Sequence, residues 1–215
     1  MATPSDLTNL AQTGITSGSV WGSKYPTLIV SFVNQPDYLS FHETMRNDIL
    51  IQKQNDATRR EITDKLKTVN KTLNRYLKNL KDYLSDEYGK ESVKVLYVAY
   101  GIEKKNGTYG FPTDNDGRAR ALDILIQELS KPNNPIATKK YGLNFWISQR
   151  DEHKAIWASS KAIDGTRSIY ADKLKTARLE AKRLQSRLRM HLRANYGEQY
   201  KSIWRDFGFQ NEKYK

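Results

Sequence analysis

Apolar spacing divides the chain into two long helical stretches set among shorter mixed segments. Over residues 164–197 (DGTRSIYADKLKTARLEAKRLQSRLRMHLRANYG), Leu174, Ala177, Ala181, Leu184, Leu188 and His191 recur at alternating three- and four-residue intervals. That is the narrow stripe of a bundle or coiled-coil seam. Residues 56–89 (DATRREITDKLKTVNKTLNRYLKNLKDYLSDEYG) carry the same stripe as Leu66, Val69, Leu73, Tyr76, Leu80 and Tyr83. Aligned 108 positions apart without a gap, 13 of these 34 positions are identical, where ordinary composition gives roughly two. Asp164, Gly165 and Thr166 supply turn and N-cap chemistry before the second stretch. Tyr88-Gly89 and Tyr196-Gly197 close the two copies, glycine readily taking the left-handed conformation past a last turn. The pattern is the signature of an internal duplication.

Ahead of the first copy, residues 38–53 predict a helix with Leu39, Phe41, Met45, Ile49 and Leu50 inward, and Gln54-Asn55-Asp56 predict a hairpin turn into the long helix. The second copy repeats the plan with LNFWISQRDEHKAIWASSKAI and the Asp164-Gly165 turn, so each repeat reads as an αα-hairpin. One uninterrupted helix through Asp56 competes with this, because Asn55-Asp56-Ala57 is a weak breaker. Residues 93–100 (VKVLYVAY) favour strand on propensity, whereas the repeat favours helix, and helix is the expectation. Asn106-Gly107 marks a turn, and residues 116–130 predict one further helix before a linker holding Pro132 and Pro135.

Residues 1–37 differ in kind, being rich in Thr, Ser, Gly and Pro before TLIVSFV. They read as an extended N-terminal arm with one short strand, and Trp21, Leu28, Ile29, Val30 and Phe32 are its candidate contacts. A lone strand needs a partner, either in another chain or in its own bundle. The expected fold is therefore mainly α: tandem duplicated antiparallel helical hairpins forming one bundle, with the arm. Its parts are the arm (1–37), repeat one with its tail (38–113), a connecting helix and linker (114–140), and repeat two with its tail (141–215).

Composition narrows the function classes. With 215 residues, 38% of them hydrophobic, the chain can bury a core. No apolar run approaches the roughly 20 residues of a membrane span, and MATPSDLTNLAQTG lacks the plan of a secretory signal. The expectation is a cytoplasmic protein, or part of an assembled particle exported without a signal peptide. The absence of cysteine excludes disulfides and thiolate metal sites. The net charge of +12 favours polyanions or an acidic neighbouring subunit. Residues 1–108 hold 15 Lys+Arg against 12 Asp+Glu, and residues 109–215 hold 21 against 12, so the excess lies in the second copy.

Catalytic and metal signatures are missing. His42, His153 and His191 are not spaced as metal ligands, and no P-loop, nucleophile elbow or dinucleotide fingerprint occurs. Asp114-Asn115-Asp116-Gly117 has the look of an EF-hand fragment, but Pro112 would occupy the first ligand position, so a turn and helix cap is the better account. No enzyme, cofactor, metal, membrane or small-molecule substrate is expected. The sharpest feature is a basic helix face. At about 100° per residue, Lys175, Arg178, Lys182, Arg189 and Arg193 share one sector, with Arg183 and Arg187 further round. Leu179 and Met190 fall between the two basic rows, opposite the stripe, where apolar residues imply cover by something. The leading expectation is a structural protein that self-assembles as a homo-oligomer through its helical hairpins and arm, into a filament, particle or ring. The alternative is sequence-independent binding of nucleic acid by backbone contacts.

Overall fold

Asp6 opens the first element: its carboxylate accepts a hydrogen bond from the Thr8 amide at 3.3 Å and caps α1 (Leu7–Lys24). In the computed structural model, which describes residues 6–209, the chain is mainly helical. After α1 come α2 (Gln35–Tyr88), the single turn α3 (Val93–Leu96) running into a 3₁₀ turn (Tyr97–Tyr100), strands β1 (Glu103–Lys105) and β2 (Thr108–Gly110), and α4 (Asn115–Leu129). Then follow α5 (Leu143–Asn195), a 3₁₀ turn (Gly197–Gln199) and α6 (Tyr200–Asp206). Residues 93–100 are thus helical, as the repeat predicts.

The predicted hairpins are corrected. Both α2 and α5 run unbroken through Gln54-Asn55-Asp56 and Asp164-Gly165. Neither carries a proline beyond its first turn, so no backbone donor is removed. The acids that were expected to cap are engaged elsewhere: Arg59 Nε donates to Asp164 at 2.6 Å, and Arg167 Nε to Asp56 at 2.7 Å. Gly165 inside a helix costs about 1 kcal/mol relative to alanine, too little to break a helix packed on both sides of it.

The chain forms two compact units. Unit one is Met1–Ala57 with Gly165–Lys215, and unit two is Thr58–Asp164. Each therefore takes the first part of one long helix and the last part of the other, and the boundaries drawn along the sequence do not coincide with these units.

Unit two has one continuous core. Val69, Leu73, Leu77, Leu80 and Leu84 of α2 cluster with Leu122, Leu125 and Leu129 of α4 and with Trp146 of α5. Leu77 and Leu84 take the fully buried seam positions predicted for Tyr76 and Tyr83, which are only partly buried. The stripe fits a slightly rotated face, and tyrosine keeps its hydroxyl toward water. Asp114 caps α4 through the Gly117 amide, as the turn-and-cap reading predicts. Asn106-Gly107, both at positive φ, make the two-residue turn between β1 and β2.

Unit one is divided. Trp21, Val30, Tyr38, Leu184, Leu188, Leu192, Ile203 and Phe207 make one cluster; Leu10, Ala11, Met45, Ile49, Leu174 and Ala181 make another. A buried polar layer links them. His42 bonds the Tyr38 carbonyl through Nδ1 at 2.8 Å, and the Gln185 amide nitrogen lies 3.2 Å from His42 Nε2 and donates to the Leu10 carbonyl at 2.7 Å. One donor on Gln185 thus faces His42 Nε2 as acceptor, which leaves Nδ1 protonated and the ring neutral. Burial holds the His42 pKa below the ordinary imidazole value. The ring rests where a side chain on Gly14 would stand, so α1 needs glycine there.

The extended arm is corrected as well. Residues 7–24 are helix, and no strand forms at residues 28–33. The Trp21 indole donates to the Leu28 carbonyl at 3.0 Å, which gives that segment a partner inside its own unit. Trp21 and Val30 are buried, Leu28 and Phe32 partly so, and only Ile29 of the five projects, 85% exposed.

Candidate functional site

The part of α5 in unit one turns Leu174, Ala181, Leu184, Leu188 and Leu192 inward. His191, predicted on that stripe, is half-buried, and Leu192 takes the buried place. At the helical step of about 100°, Leu179 and Met190 then stand opposite the core. They are 66% and 60% exposed. Large apolar side chains in such a position remain in contact with water at a cost of roughly 25 cal/mol for each Å² that burial would remove.

The seven predicted cations divide by what engages them. The Arg187 guanidinium lies 4.1 Å from the Phe32 ring centroid and the Arg193 guanidinium 5.6 Å from that of Tyr200. Arg189 lies 5.6 Å from the Phe209 ring, and its carbonyl accepts from the Trp204 indole at 3.1 Å. Burial lowers the Arg189 pKa. These three arginines clasp the 25–34 segment and the C-terminal tail onto the helix, each contact contributing about 0.5–1 kcal/mol. Arg183 forks onto Glu180 at 2.8 and 2.6 Å. Arg178 is exposed. Lys175 and Lys182 carry no ion pair among the described residues and flank the Leu179–Met190 side.

A groove of about 660 Å³ runs beside this face, between α2 and α5 of unit one. Phe41, Met45, Ile169 and Ala177 line it with apolar carbon, and Asp48, Asp172 and Glu180 bring three carboxylates against one lining cation, Lys173. The Lys173 ammonium sits 4.9 Å from the Tyr170 ring centroid. Sequence reasoning placed Phe41 and Met45 inward but missed the groove. The available signal was Ile169, an apolar residue off the stripe that is 59% exposed. Unit two presents its own apolar side chains, Val95, Val98 and Ile124, which were also missed.

The remaining candidates do not converge. His153 is buried in unit two with both ring nitrogens unpartnered, and burial together with the Arg118 charge lowers its pKa. Among the described residues, no group of three or more His, Cys, Asp and Glu is placed to hold a metal. No helix among them is long and apolar enough to cross a membrane. No family model, curated protein or solved structure matches the chain.

Proposed function

We propose that the chain is a non-catalytic structural protein that assembles with copies of itself. The observation that carries this reading is the pair Leu179 and Met190, two large apolar side chains exposed opposite a well-filled seam. The arm has no part in it, since its helix and most of its apolar residues are spent inside unit one. Sedimentation across a wide concentration range tests it: association that persists in moderate salt supports an apolar contact, and a monomer at every concentration refutes it.

A second reading, backbone binding of nucleic acid, draws on Lys175 and Lys182, which extend the cationic face of α5. Such binding would weaken steeply with salt, and removing both lysines would lower the salt slope by about two.

We also infer that the duplication extends beyond the two seams, with a different repeated unit from the predicted hairpin. In support, α4 and α5 begin 108 positions after α1 and α2. Asp6 and Asp114 cap the two short helices. Tyr38 and Trp146 are fully buried at matched positions. Gly89 and Gly197 end the long helices at positive φ. The repeated unit is then a short helix, one long helix and a tail.

A further inference from the structure

The groove of unit one and the outer face of α5 match in length along the helix and carry charges of opposite sign. The groove is apolar at its floor, with Asp48 and Asp172 at hand, while Glu180 is held by Arg183. The outer face offers Leu179 and Met190 beside Lys175 and Lys182. Leu179 and Met190 are 11 residues apart, on the order of 16 Å along a helix. The α5 wall of the groove, from Ile169 to Glu180, covers the same number of residues. Both surfaces belong to one unit and adjoin along α5, Asp172 of the groove standing seven residues before Leu179 and Glu180 next after it, and a single copy presents each once.

We infer that the groove of one copy receives the outer face of α5 from a second copy. This rests on the self-assembly reading and adds the surfaces and their polarity. The contact is heterologous: it uses unlike patches and leaves one of each free at the ends. Repeated, it gives a ring if the rotation closes and a filament if it does not. Burying Leu179 and Met190 drives the contact, and the carboxylates meeting Lys175 and Lys182 set its direction. The same carboxylates disfavour nucleic acid in the groove.

Two surface variants of the full chain test this. Leu179→Glu with Met190→Glu spoils the outer face, and Ile169→Lys with Asp172→Lys spoils the groove. All four side chains are exposed, and circular dichroism checks that each variant keeps its helix content. Each variant alone is expected to lose self-association at least about tenfold by sedimentation equilibrium, as for truncation of a central anchor. Mixed in equal amounts, they are expected to form a capped 1:1 pair and nothing larger, because one supplies an intact groove and the other an intact face. A wild-type chain that assembles while the groove variant assembles equally well overturns the groove and leaves the self-assembly reading standing. Failure of the mixture to pair also overturns it, pointing to a face-to-face contact instead. A wild-type chain that stays monomeric overturns both.

Discussion

Positions 108 residues apart in the two units are filled differently, and the seam residues Leu77 and Gln185 are a case in point. At the position of Leu77 in unit two, unit one has Gln185, 108 residues later. Around Leu77 the core is continuous from Val69 to Leu84. Around Gln185 it is split in two, and the amide is kept by giving its hydrogens to His42 and to the Leu10 carbonyl. A buried amide has to be satisfied, so Gln185 requires His42 on α2 and a close α1, and the close α1 in turn requires Gly14. One polar seam position dictates residues on two other helices, whereas a leucine there dictates only volume.

Several measurements would sharpen or break this contrast. The largest effect is expected at Trp146, fully buried in unit two, with Tyr38 as its counterpart in unit one. Trp146→Ala should destabilise by about 3–5 kcal/mol in urea titrations; a loss below about 1 kcal/mol would mean that the continuous core does not depend on it.

Next comes Gln185→Leu, which writes the unit-two residue into unit one. It strands His42 Nε2 and takes from the Leu10 carbonyl its second hydrogen bond, the helical one remaining, and should cost about 1–3 kcal/mol for the group left without a partner. Adding His42→Leu should recover part of that loss, and a double variant no more stable than the single would refute the layer as described.

A gentler effect is titratable. Burial holds both His42 and His153 below the ordinary imidazole pKa. On acidification the unfolded rings take up protons at about pH 6.5 while the folded ones resist. Their contribution is therefore complete above that value and is lost as pH falls toward the folded pKa. The slope of stability against pH below neutrality should flatten in His42→Leu; an unchanged slope would show that His42 titrates alike in both states.

The smallest effect belongs to the half-exposed pairs Arg59–Asp164 in unit two and Arg167–Asp56 in unit one. Arg59→Ala and Arg167→Ala should each cost under about 1 kcal/mol and by similar amounts. A large gap between them would show that the matched pairs are not equivalent.

Helices were legible wherever period and caps agreed. The seams from Leu66 and from Leu174, the Asp114 cap and the closing glycines Gly89 and Gly197 all rest on local rules, and all are found. The hairpins at residues 54–56 and 164–165 were misread because Asp and Gly are turn formers only when nothing else claims them, and here Arg59 and Arg167 claim the acids. The arm was misread for a related reason. Residues 7–24 are poor helix formers by composition, yet Gly14 and Gly18 let that helix approach His42 and Leu39 closely, and packing outweighed propensity. At the candidate site, Leu179, Met190 and the basic row could be placed from the helical wheel. Which of these cations would clasp a ring could not, because it depends on Phe32, Tyr200 and Phe209 arriving from elsewhere.

By itself the sequence determined where the two seams run, that they close at Gly89 and Gly197, and which side of each is apolar, since these follow from spacing and from backbone preference within a few residues. It also determined the total charge but not its distribution. The excess that lies in the second half along the chain becomes even between the units: 16 Lys+Arg against 10 Asp+Glu in unit one, and 20 against 14 in unit two. Which half of each long helix shares a core with which was decided only in the tertiary structure. An apolar stripe says that a face must be buried and carries no label for the partner; side-chain volume, a buried amide and its acceptors select among the stripes available.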